Sequence, residues 1–444
     1  MNIAKIETNI KRNLYLNKTG IKHTKTCSDK IENNVLNIYP NLTYQELLGF
    51  GGAFTGSSCY VLNNINESIR NQIMDEYFGE DGINYTFGRL TIASSDFSPK
   101  SYSYSNKKDL SDFSISEDME HIIPTIKMAQ NRNSNIKFLA TPWSPPSFMK
   151  DNKILYLGGR LKDKYKSLWA EYLVKYVKYY NEQNIKIDFM TIQNEPNATQ
   201  IWESCKFTAE EEADFLKHYL FPAFKKNNLD TKFLIWDHNK DNIVNRCTDT
   251  LVKYGALDYT AGIAFHWYTG THFENLKILH DLFPNKLLIH TEGCTGYSKF
   301  KPQDELFNAQ MYASEIIGDL NNGVNGFIDW NIVLDYKGGP NHKNNYCNSP
   351  IMINKNNDNY IKTPSFYYIA QFSKYIKPGA KRIAFSRFTQ DIDVTAFKNI
   401  DNSVVVVLLN KNNYNIEYNL CFNNEYFHDN LDSNAIVTFI IKGA

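Results

Sequence analysis

Residues 188 to 196 have the sequence Asp-Phe-Met-Thr-Ile-Gln-Asn-Glu-Pro. The apolar part suits a strand that is covered on both faces. Pro196 has no backbone N–H and cannot continue a ladder, so we expect Asn194 and Glu195 at the carboxyl end of this strand. An isolated Asn-Glu-Pro is more often a turn than a site, so the importance of this stretch depends on the other strands of the chain.

Short apolar segments alternate with amphipathic helical patterns eight times along the chain. The strand candidates are residues 47–53, 85–92, 136–141, 189–193, 232–236, 262–266, 287–291 and 326–330. This repeat predicts an α/β fold, a (β/α)8 TIM barrel, with active-site residues where the strands end. The alternative, a doubly wound open sheet, lacks the Gly-x-Gly-x-x-Gly turn after its first strand.

The last part of the chain has a different pattern. Residues 392–397, 404–409, 414–418 and 436–441 alternate as strands between Asn- and Asp-rich turns. They predict a small all-β, sandwich-like side domain. We therefore divide the chain into a catalytic barrel at residues 46–375 and a β-sandwich formed by residues 1–45 plus 376–444.

Composition narrows the classes of partner. Among 444 residues, 48 Lys and Arg balance 48 Asp and Glu, which removes the electrostatic argument for a nucleic acid or membrane-surface partner. No apolar run reaches the roughly 18 residues of a membrane span. Seven Cys without a Cys-x-x-Cys pair indicate reduced thiols rather than disulfides or zinc. With no secretory signal evident, we expect a cytoplasmic protein without metal or cofactor; the sequence does not predict the oligomeric state.

The residues just past each strand are expected to face one common basin. They are Arg89, Asp96, Trp143, Asn194, Glu195, Asp237, His238, Asn239, His266, Trp267, Tyr268, Glu292, Cys294, Asp329, Trp330 and Asn331. Two glutamates, on strands four and seven, stand among indoles and amides. Glycoside hydrolysis needs such a pair, one carboxyl group to protonate the departing oxygen and a second to attack the anomeric carbon or to activate water.

Several motifs then point to a family. They are Gly-Phe-Gly-Gly-Ala-Phe-Thr (49–55), Ser-Ser-Asp-Phe-Ser (94–98), Tyr-Ser-Tyr (102–104), Pro-Trp-Ser-Pro-Pro (142–146), Gln-Asn-Glu-Pro (193–196), His-Trp-Tyr (266–268), Thr-Glu-Gly-Cys (291–294), Asp-Trp-Asn (329–331) and Gly-Gly-Pro-Asn (338–341). Over nearly its whole length, the chain resembles the glucosylceramidase-like glycoside hydrolases, family 30 of clan A. The resemblance implies a barrel with a β domain and hydrolysis of terminal β-glucosyl residues with retention of configuration.

The resemblance also implies residue roles. Glu195 would be the acid/base and Glu292 the nucleophile that forms a covalent glycosyl-enzyme. The implied substrate-binding residues are Asp96, Trp143, Asn194, Tyr268, Trp330, Arg89, His266 and Asn345. Because two negative charges repel, we expect Glu292 to raise the pKa of Glu195 and keep it protonated before reaction.

Two segments depart from the animal lysosomal branch of the family. Residues 236–239 are Trp-Asp-His-Asn in place of an expected Asp-Asp-Gln, and His342 stands where a Trp is common. Both are expected on the leaving-group side, so a ceramide preference does not follow. The small-molecule or oligosaccharide substrate remains open between β-glucosides, β-xylosides and β-1,6-glucan fragments, and a noncatalytic carbohydrate-binding protein is the alternative from another class.

Overall fold

The computed structural model describes residues 2–19, 33–296 and 304–443. The strands in chain order are β1 (Asn2–Asn9), β2 (Leu14–Thr19), β3 (Val35–Glu46), β4 (Gly49–Phe54), β5 (Phe87–Ile92), β6 (Lys137–Pro142), β7 (Phe189–Thr191), β8 (Lys232–Asn239), β9 (Gly262–His266), β10 (Leu287–Glu292), β11 (Gly326–Asn331), β12 (Val333–Leu334), β13 (Ile351–Ile353), β14 (Tyr360–Lys362), β15 (Lys381–Ser386), β16 (Ile392–Lys398), β17 (Val404–Asn410), β18 (Ile416–Phe422), β19 (Glu425–Leu431) and β20 (Ala435–Lys442). The α-helices are α1 (Gly56–Asn63), α2 (Glu67–Phe78), α3 (Ser116–Glu120), α4 (Ile122–Arg132), α5 (Lys166–Glu182), α6 (Ala209–Phe215), α7 (Phe221–Lys226), α8 (Ile243–Thr248), α9 (Phe273–Leu282), α10 (Glu305–Asn321) and α11 (Pro364–Ser373).

Strands β4 to β11 form a closed barrel in which each strand neighbours the next in the chain and β11 closes on β4. The predicted (β/α)8 fold is therefore confirmed, and each of the eight predicted segments overlaps one barrel strand. Nearly every residue in these strands is buried because the barrel interior and the surrounding helices cover both faces. On α5, Trp169, Tyr172, Tyr176 and Tyr180 are buried at helical spacing and supply part of that outer cover.

The fifth barrel strand differs from its prediction. It continues to Asn239, three residues beyond the predicted end, and its pairing with β9 shifts register between Trp236 and His238. Trp236 (φ 76°) and Asp237 (φ 51°) are both left-handed, which is costly for a side chain as bulky as that of Trp236. Such a bulge changes the direction of the following side chains, and bulges are frequent beside active sites.

The chain divides into two compact units, one containing the barrel and the other a nine-stranded sheet with α10 and α11. The strand order of that sheet is β19-β18-β3-β15-β16-β17-β20-β1-β2. Its buried side is filled by aliphatic and aromatic side chains such as Val406, Leu420 and Phe439. The sequence did not indicate β15 and β19, and the predicted domain limits at 45/46 and 375/376 stay predictions.

Two further observations concern helices and cysteines. Among the described residues, none of the helices has both the length and the apolar character that crossing a bilayer requires. The six cysteines in the described part of the chain are all free thiols. Five of them are buried and Cys421 is half-buried.

Candidate active site

The two predicted catalytic glutamates stand at the same end of the barrel. Glu292 is the last residue of β10, and Glu195 follows β7 in a left-handed conformation (φ 45°). The backbone N–H of Glu195 donates to the Asp237 carbonyl at 3.0 Å, which fixes this turn. One carboxylate oxygen of each glutamate lies within 4.8 Å of the other. Both line one cavity of about 280 Å³.

Glu292 is held by one charged donor and one neutral donor. A guanidinium nitrogen of Arg89 donates to Oε2 at 2.5 Å, and the Tyr268 hydroxyl donates to Oε1 at 2.9 Å. Only 9% of the Glu292 side chain is exposed. A charge-assisted bond is stronger and shorter than a neutral one, so it fixes the direction of the carboxylate.

Arg89 lies behind the cavity and contacts polar and aromatic groups from several strands. Its side chain is fully buried, and it donates to Asp237 Oδ2 at 2.8 Å and to Asn194 Oδ1 at 3.0 Å as well as to Glu292. The guanidinium carbon lies 4.9 Å from the ring centre of Trp143, close enough for a cation–π contact. A buried cation is costly without partners, so the two carboxylates account for its position.

Glu195 has a different kind of environment. Its Oε1 lies 3.4 Å from Nδ1 of His266 and 4.0 Å from Nε2 of His238, while Oε2 accepts from Gln200 Nε2 at 3.3 Å. Burial raises the pKa of Glu195, but the hydrogen bond from His266 and the nearby His238 outweigh burial and lower it to about 2. The pKa of Glu195 is therefore shifted in the direction opposite to the expectation, which considered only the charge of Glu292. The sequence did not show that His266 would contact Glu195.

His266 connects Glu195 to the barrel interior. Its ring is fully buried, with Nε2 3.1 Å from Asp237 Oδ1. Burial lowers the pKa of His266, but three neighbouring carboxylates outweigh burial and raise it to about 9. Both shifts favour a protonated imidazole beside an ionised Glu195, because each group stabilises the charge of the other.

Other lining residues of the cavity combine polar and aromatic groups. Asp96 accepts from the side-chain amide of Asn345 at 3.0 Å and from that of Asn341 at 3.4 Å. Burial raises the pKa of Asp96 to about 7, with the two amides opposing the shift. Trp143 and Trp330 stack with ring centres 5.4 Å apart, which presents flat apolar surface next to these polar groups.

Eight of the ten predicted site residues line the cavity. They are Glu195, Glu292, Asp96, Trp143, Asn194, Tyr268, Trp330 and Asn345. The other two, Arg89 and His266, are fully buried behind it and act on the glutamates. The remaining lining residues are Phe97, Gln200, Trp202, His238, Asn239, Cys294 and Cys347.

Four of these lining residues were outside the sequence prediction: Phe97, Gln200, Trp202 and Cys347. Phe97 lies within the Ser-Ser-Asp-Phe-Ser motif (94–98), so the family resemblance already pointed to its neighbour Asp96. Gln200, Trp202 and Cys347 lie in loops, where no periodicity shows which side chains turn toward a site.

Glu195, His266 and Glu292 also form a group that is close enough to hold a metal ion, with ligand atoms within 4.8 Å of one another. No spacing in the sequence indicated this group. Arg89 and Tyr268 already use the oxygens of Glu292, and both ring nitrogens of His266 face carboxylates. A divalent cation would add positive charge beside the buried Arg89, so these residues fit proton transfer better than metal binding.

Comparisons with known proteins agree with this geometry. Residues 47–376 match the glycosyl hydrolase family 30 TIM-barrel domain, and residues 379–439 match the family 30 beta sandwich domain. A barrel that presents two glutamates to one aromatic-walled cavity defines a glycoside hydrolase. This chain belongs to glycoside hydrolase family 30.

Related proteins match this chain over nearly its whole length. Putative glucosylceramidase 4 of Caenorhabditis elegans is 34% identical over 99% of this chain and 89% of that protein. The crystal structure of SrfJ from Salmonella typhimurium has a TM-score of 0.96 at 30% identity and covers 100% of both chains. The endo-beta1,6-glucanase BT3312 has a TM-score of 0.90 at 29% identity, covering 99% of this chain and 98% of its own.

Proposed function

We propose that this glycoside hydrolase is a retaining β-glycosidase with Glu292 as nucleophile and Glu195 as acid/base. The observation that supports this assignment is the approach of their carboxylate oxygens to within 4.8 Å. Retaining enzymes need carboxyl groups about 5 Å apart, whereas inverting enzymes leave a larger space for water. The donors around Glu292 suit a nucleophile, because Arg89 and Tyr268 fix the direction of its carboxylate.

In the first step, Glu292 attacks the anomeric carbon while the leaving oxygen takes a proton from Glu195. His266 supplies that proton to Glu195 across the 3.4 Å contact that joins them. The charge on Glu292 disappears when the glycosyl-enzyme forms. In the second step, Glu195 removes a proton from water, which then attacks the same carbon and releases the sugar with its original configuration.

The glycone would occupy the part of the cavity lined by Asp96, Asn345 and the Trp143–Trp330 pair. An ionised Asp96 accepts from sugar hydroxyls, and Asn194, which Arg89 fixes at 3.0 Å, faces the 2-hydroxyl. A cavity of about 280 Å³ is at the small end for ligand sites and suits one pyranose ring. We therefore propose terminal β-glucosyl residues as substrate.

β-Xyloside or β-1,6-glucan specificity is the alternative within the family. One relative is named an endo-beta1,6-glucanase. His238 and Asn239 of β8, which line the cavity, belong to a segment that departs from the animal lysosomal pattern. A noncatalytic carbohydrate-binding protein is the alternative from another class, and it requires that the paired glutamates do no chemistry.

The test is a panel of nitrophenyl β-D-glycosides assayed with and without a chelator, with the first-formed anomer followed by proton NMR. We expect hydrolysis of the β-glucoside, unaffected by chelator, with the β-anomer appearing before mutarotation. A matched control is Glu171→Gln on the exposed face of α5, which should behave as wild type. Initial release of the α-anomer would refute retention, and no hydrolysis of any member would favour the binding protein.

We also propose that the protein acts in the cytoplasm. The support is its thiol chemistry, since the six described cysteines are free and most are buried. Free thiols persist where glutathione and thioredoxin keep them reduced. Fractionation of cells with an antibody to the protein would test this, and recovery with an extracellular fraction would contradict it.

A further inference from the structure

Two cysteines meet in the wall of the cavity. Cys294 and Cys347 are 5% and 3% exposed, both line the cavity, and both belong to the apolar cluster that contains Trp143 and Trp330. Burial raises the pKa of the Cys347 thiol, and the neighbouring Cys294 thiol raises it further. The proposed hydrolysis uses neither sulfur, so this pair needs a separate explanation.

The backbones that carry the two thiols are also adjacent. One residue beyond each cysteine, the N–H of Asn348 donates to the carbonyl of Thr295 at 2.8 Å. A Cβ atom at Gly296 would lie 2.5 Å from the Asn348 side chain, so the two segments approach closely. Backbones joined by such a bond are about 5 Å apart, and disulfides connect Cα atoms about 4.4 to 6.8 Å apart.

We propose that Cys294 and Cys347 are an oxidisable dithiol, a modification site at which a peroxide forms a disulfide that lowers the activity of the enzyme. The effect on activity rests on the glycosidase function proposed above, whereas formation of the disulfide does not. Because the cavity is the route by which substrate enters, a small oxidant can reach the same wall.

The chemistry balances with hydrogen peroxide as the oxidant. The thiolate of Cys294 attacks one peroxide oxygen, which gives a sulfenic acid and hydroxide. The thiol of Cys347 then attacks the oxidised sulfur, and one water molecule leaves as the S–S bond forms. Two thiols lose two electrons and two protons in total, and one peroxide is reduced to two waters.

Oxidation would disturb the nucleophile through Tyr268. The Tyr268 hydroxyl lies 3.5 Å from the Cys294 sulfur and donates to Glu292, while the Asn331 amide donates to the Cys347 sulfur at 3.7 Å. A disulfide draws the two sulfurs to about 2.0 Å and away from both contacts. Misplacing a group beside the reaction by about 1 Å costs on the order of 10²-fold in rate.

The experiment treats the reduced full-length protein with hydrogen peroxide, removes the excess with catalase, and measures hydrolysis of a nitrophenyl β-glycoside and the peptide masses. We expect a Cys294–Cys347 peptide that is lighter by two hydrogen atoms and a loss of activity on the order of 10²-fold. Dithiothreitol should reverse both. A sugar-like competitive inhibitor in the cavity should slow both.

Three variants serve as controls, each compared with its own untreated sample. Cys294→Ser and Cys347→Val should give no linked peptide and no reversible loss. Cys421→Ser removes the half-buried thiol in the nine-stranded sheet and should respond as wild type. The proposal is overturned if both thiols stay free, if they form only separate sulfinic acids, or if the linked enzyme keeps full activity. A linked peptide in a protein without any hydrolysis would refute the glycosidase function and leave the dithiol in place.

Discussion

Glu292 and Glu195 are the same residue type in one cavity, yet their surroundings have opposite character. Glu292 is bound by Arg89, which stays charged at every physiological pH, and by a phenol. Glu195 faces two imidazoles and a neutral amide, groups whose charge varies or is absent. A permanently charged neighbour such as Arg89 suits a carboxylate that acts as a nucleophile. A titratable neighbour such as His266 suits a carboxylate that donates and accepts a proton.

Asp237 makes both environments possible. It is fully buried, accepts from Arg89 through Oδ2, and faces His266 through Oδ1. Threonine hydroxyls at 191 and 291 donate to it at 2.8 and 2.6 Å. The charge of Arg89 and the hydrogen bonds hold the pKa of Asp237 well below its usual range despite burial. One carboxylate thus orients the cation on the nucleophile side and the imidazole on the acid side.

Removing the nucleophile should have the largest effect. In Glu292→Gln, the amide cannot attack, so we expect kcat for nitrophenyl β-glucoside to fall on the order of 10⁵-fold. The loss should be equal for good and poor leaving groups, because formation of the covalent intermediate is blocked. Turnover close to wild type, after mass spectrometry has confirmed the substitution, would remove Glu292 from the mechanism.

Removing the acid/base should have a smaller effect that depends on the leaving group. For Glu195→Ala we expect about a 10³-fold loss on alkyl glycosides, and less on nitrophenyl glycosides, which need little protonation. Azide should restore turnover and yield a β-glycosyl azide, because it needs no base. If azide gave no rescue, or if the loss were independent of the leaving group, the two glutamates would no longer differ in the proposed way.

Removing the shared cation should affect stability. Arg89→Met leaves the Glu292 and Asp237 carboxylates without their cation in a buried place, which should lower the free energy of unfolding by about 3 to 5 kcal/mol. Urea denaturation measures this change. Arg70→Met, at a partly exposed and distant position on α2, is the matched control and should change it little. An equal effect of the two substitutions would contradict the role given to Arg89.

The pH dependence of kcat/KM should report Asp96 and the Glu195–His266 pair separately, and it is the smallest of the expected effects. The pKa of Asp96 is raised to about 7, so this group becomes an acceptor for sugar hydroxyls only as the pH rises through 7. The pKa of His266 is raised to about 9, so the Glu195–His266 pair loses its proton as the pH rises through 9. We expect kcat/KM to rise near pH 7 and to fall near pH 9.

Two variants assign the limbs of that profile. Asp96→Asn should remove the rise, because it eliminates one titrating group. His266→Gln should move the fall to lower pH, because Glu195 then holds the transferred proton without the imidazole. Initial rates at low substrate concentration over pH 5 to 10 measure this. A falling limb that stays near pH 9 in His266→Gln would show that another group holds the transferred proton.

Much of the barrel was predictable because each strand and each helix has a sequence pattern that depends only on neighbouring residues. Burial on both faces requires apolar runs such as 262–266, and helices on the outside require amphipathic repeats, so each unit carries its own pattern. The left-handed backbone at Trp236 and Asp237 was not predictable, because Trp rarely adopts that conformation and a single Asp does not indicate it. Contacts of the surrounding barrel hold the bulge, and no neighbouring residue in the sequence indicates it.

The eightfold repeat and the two glutamates at the ends of strands four and seven follow from the chain alone. The contacts of each glutamate depend on the folded barrel, because Arg89 is 203 positions from Glu292 and His266 is 71 positions from Glu195. Folding also brought Cys294 to Cys347. The physical reason is that strand periodicity arises from neighbours in the chain, whereas a pKa or a thiol contact depends on groups that barrel closure brings within a few ångströms.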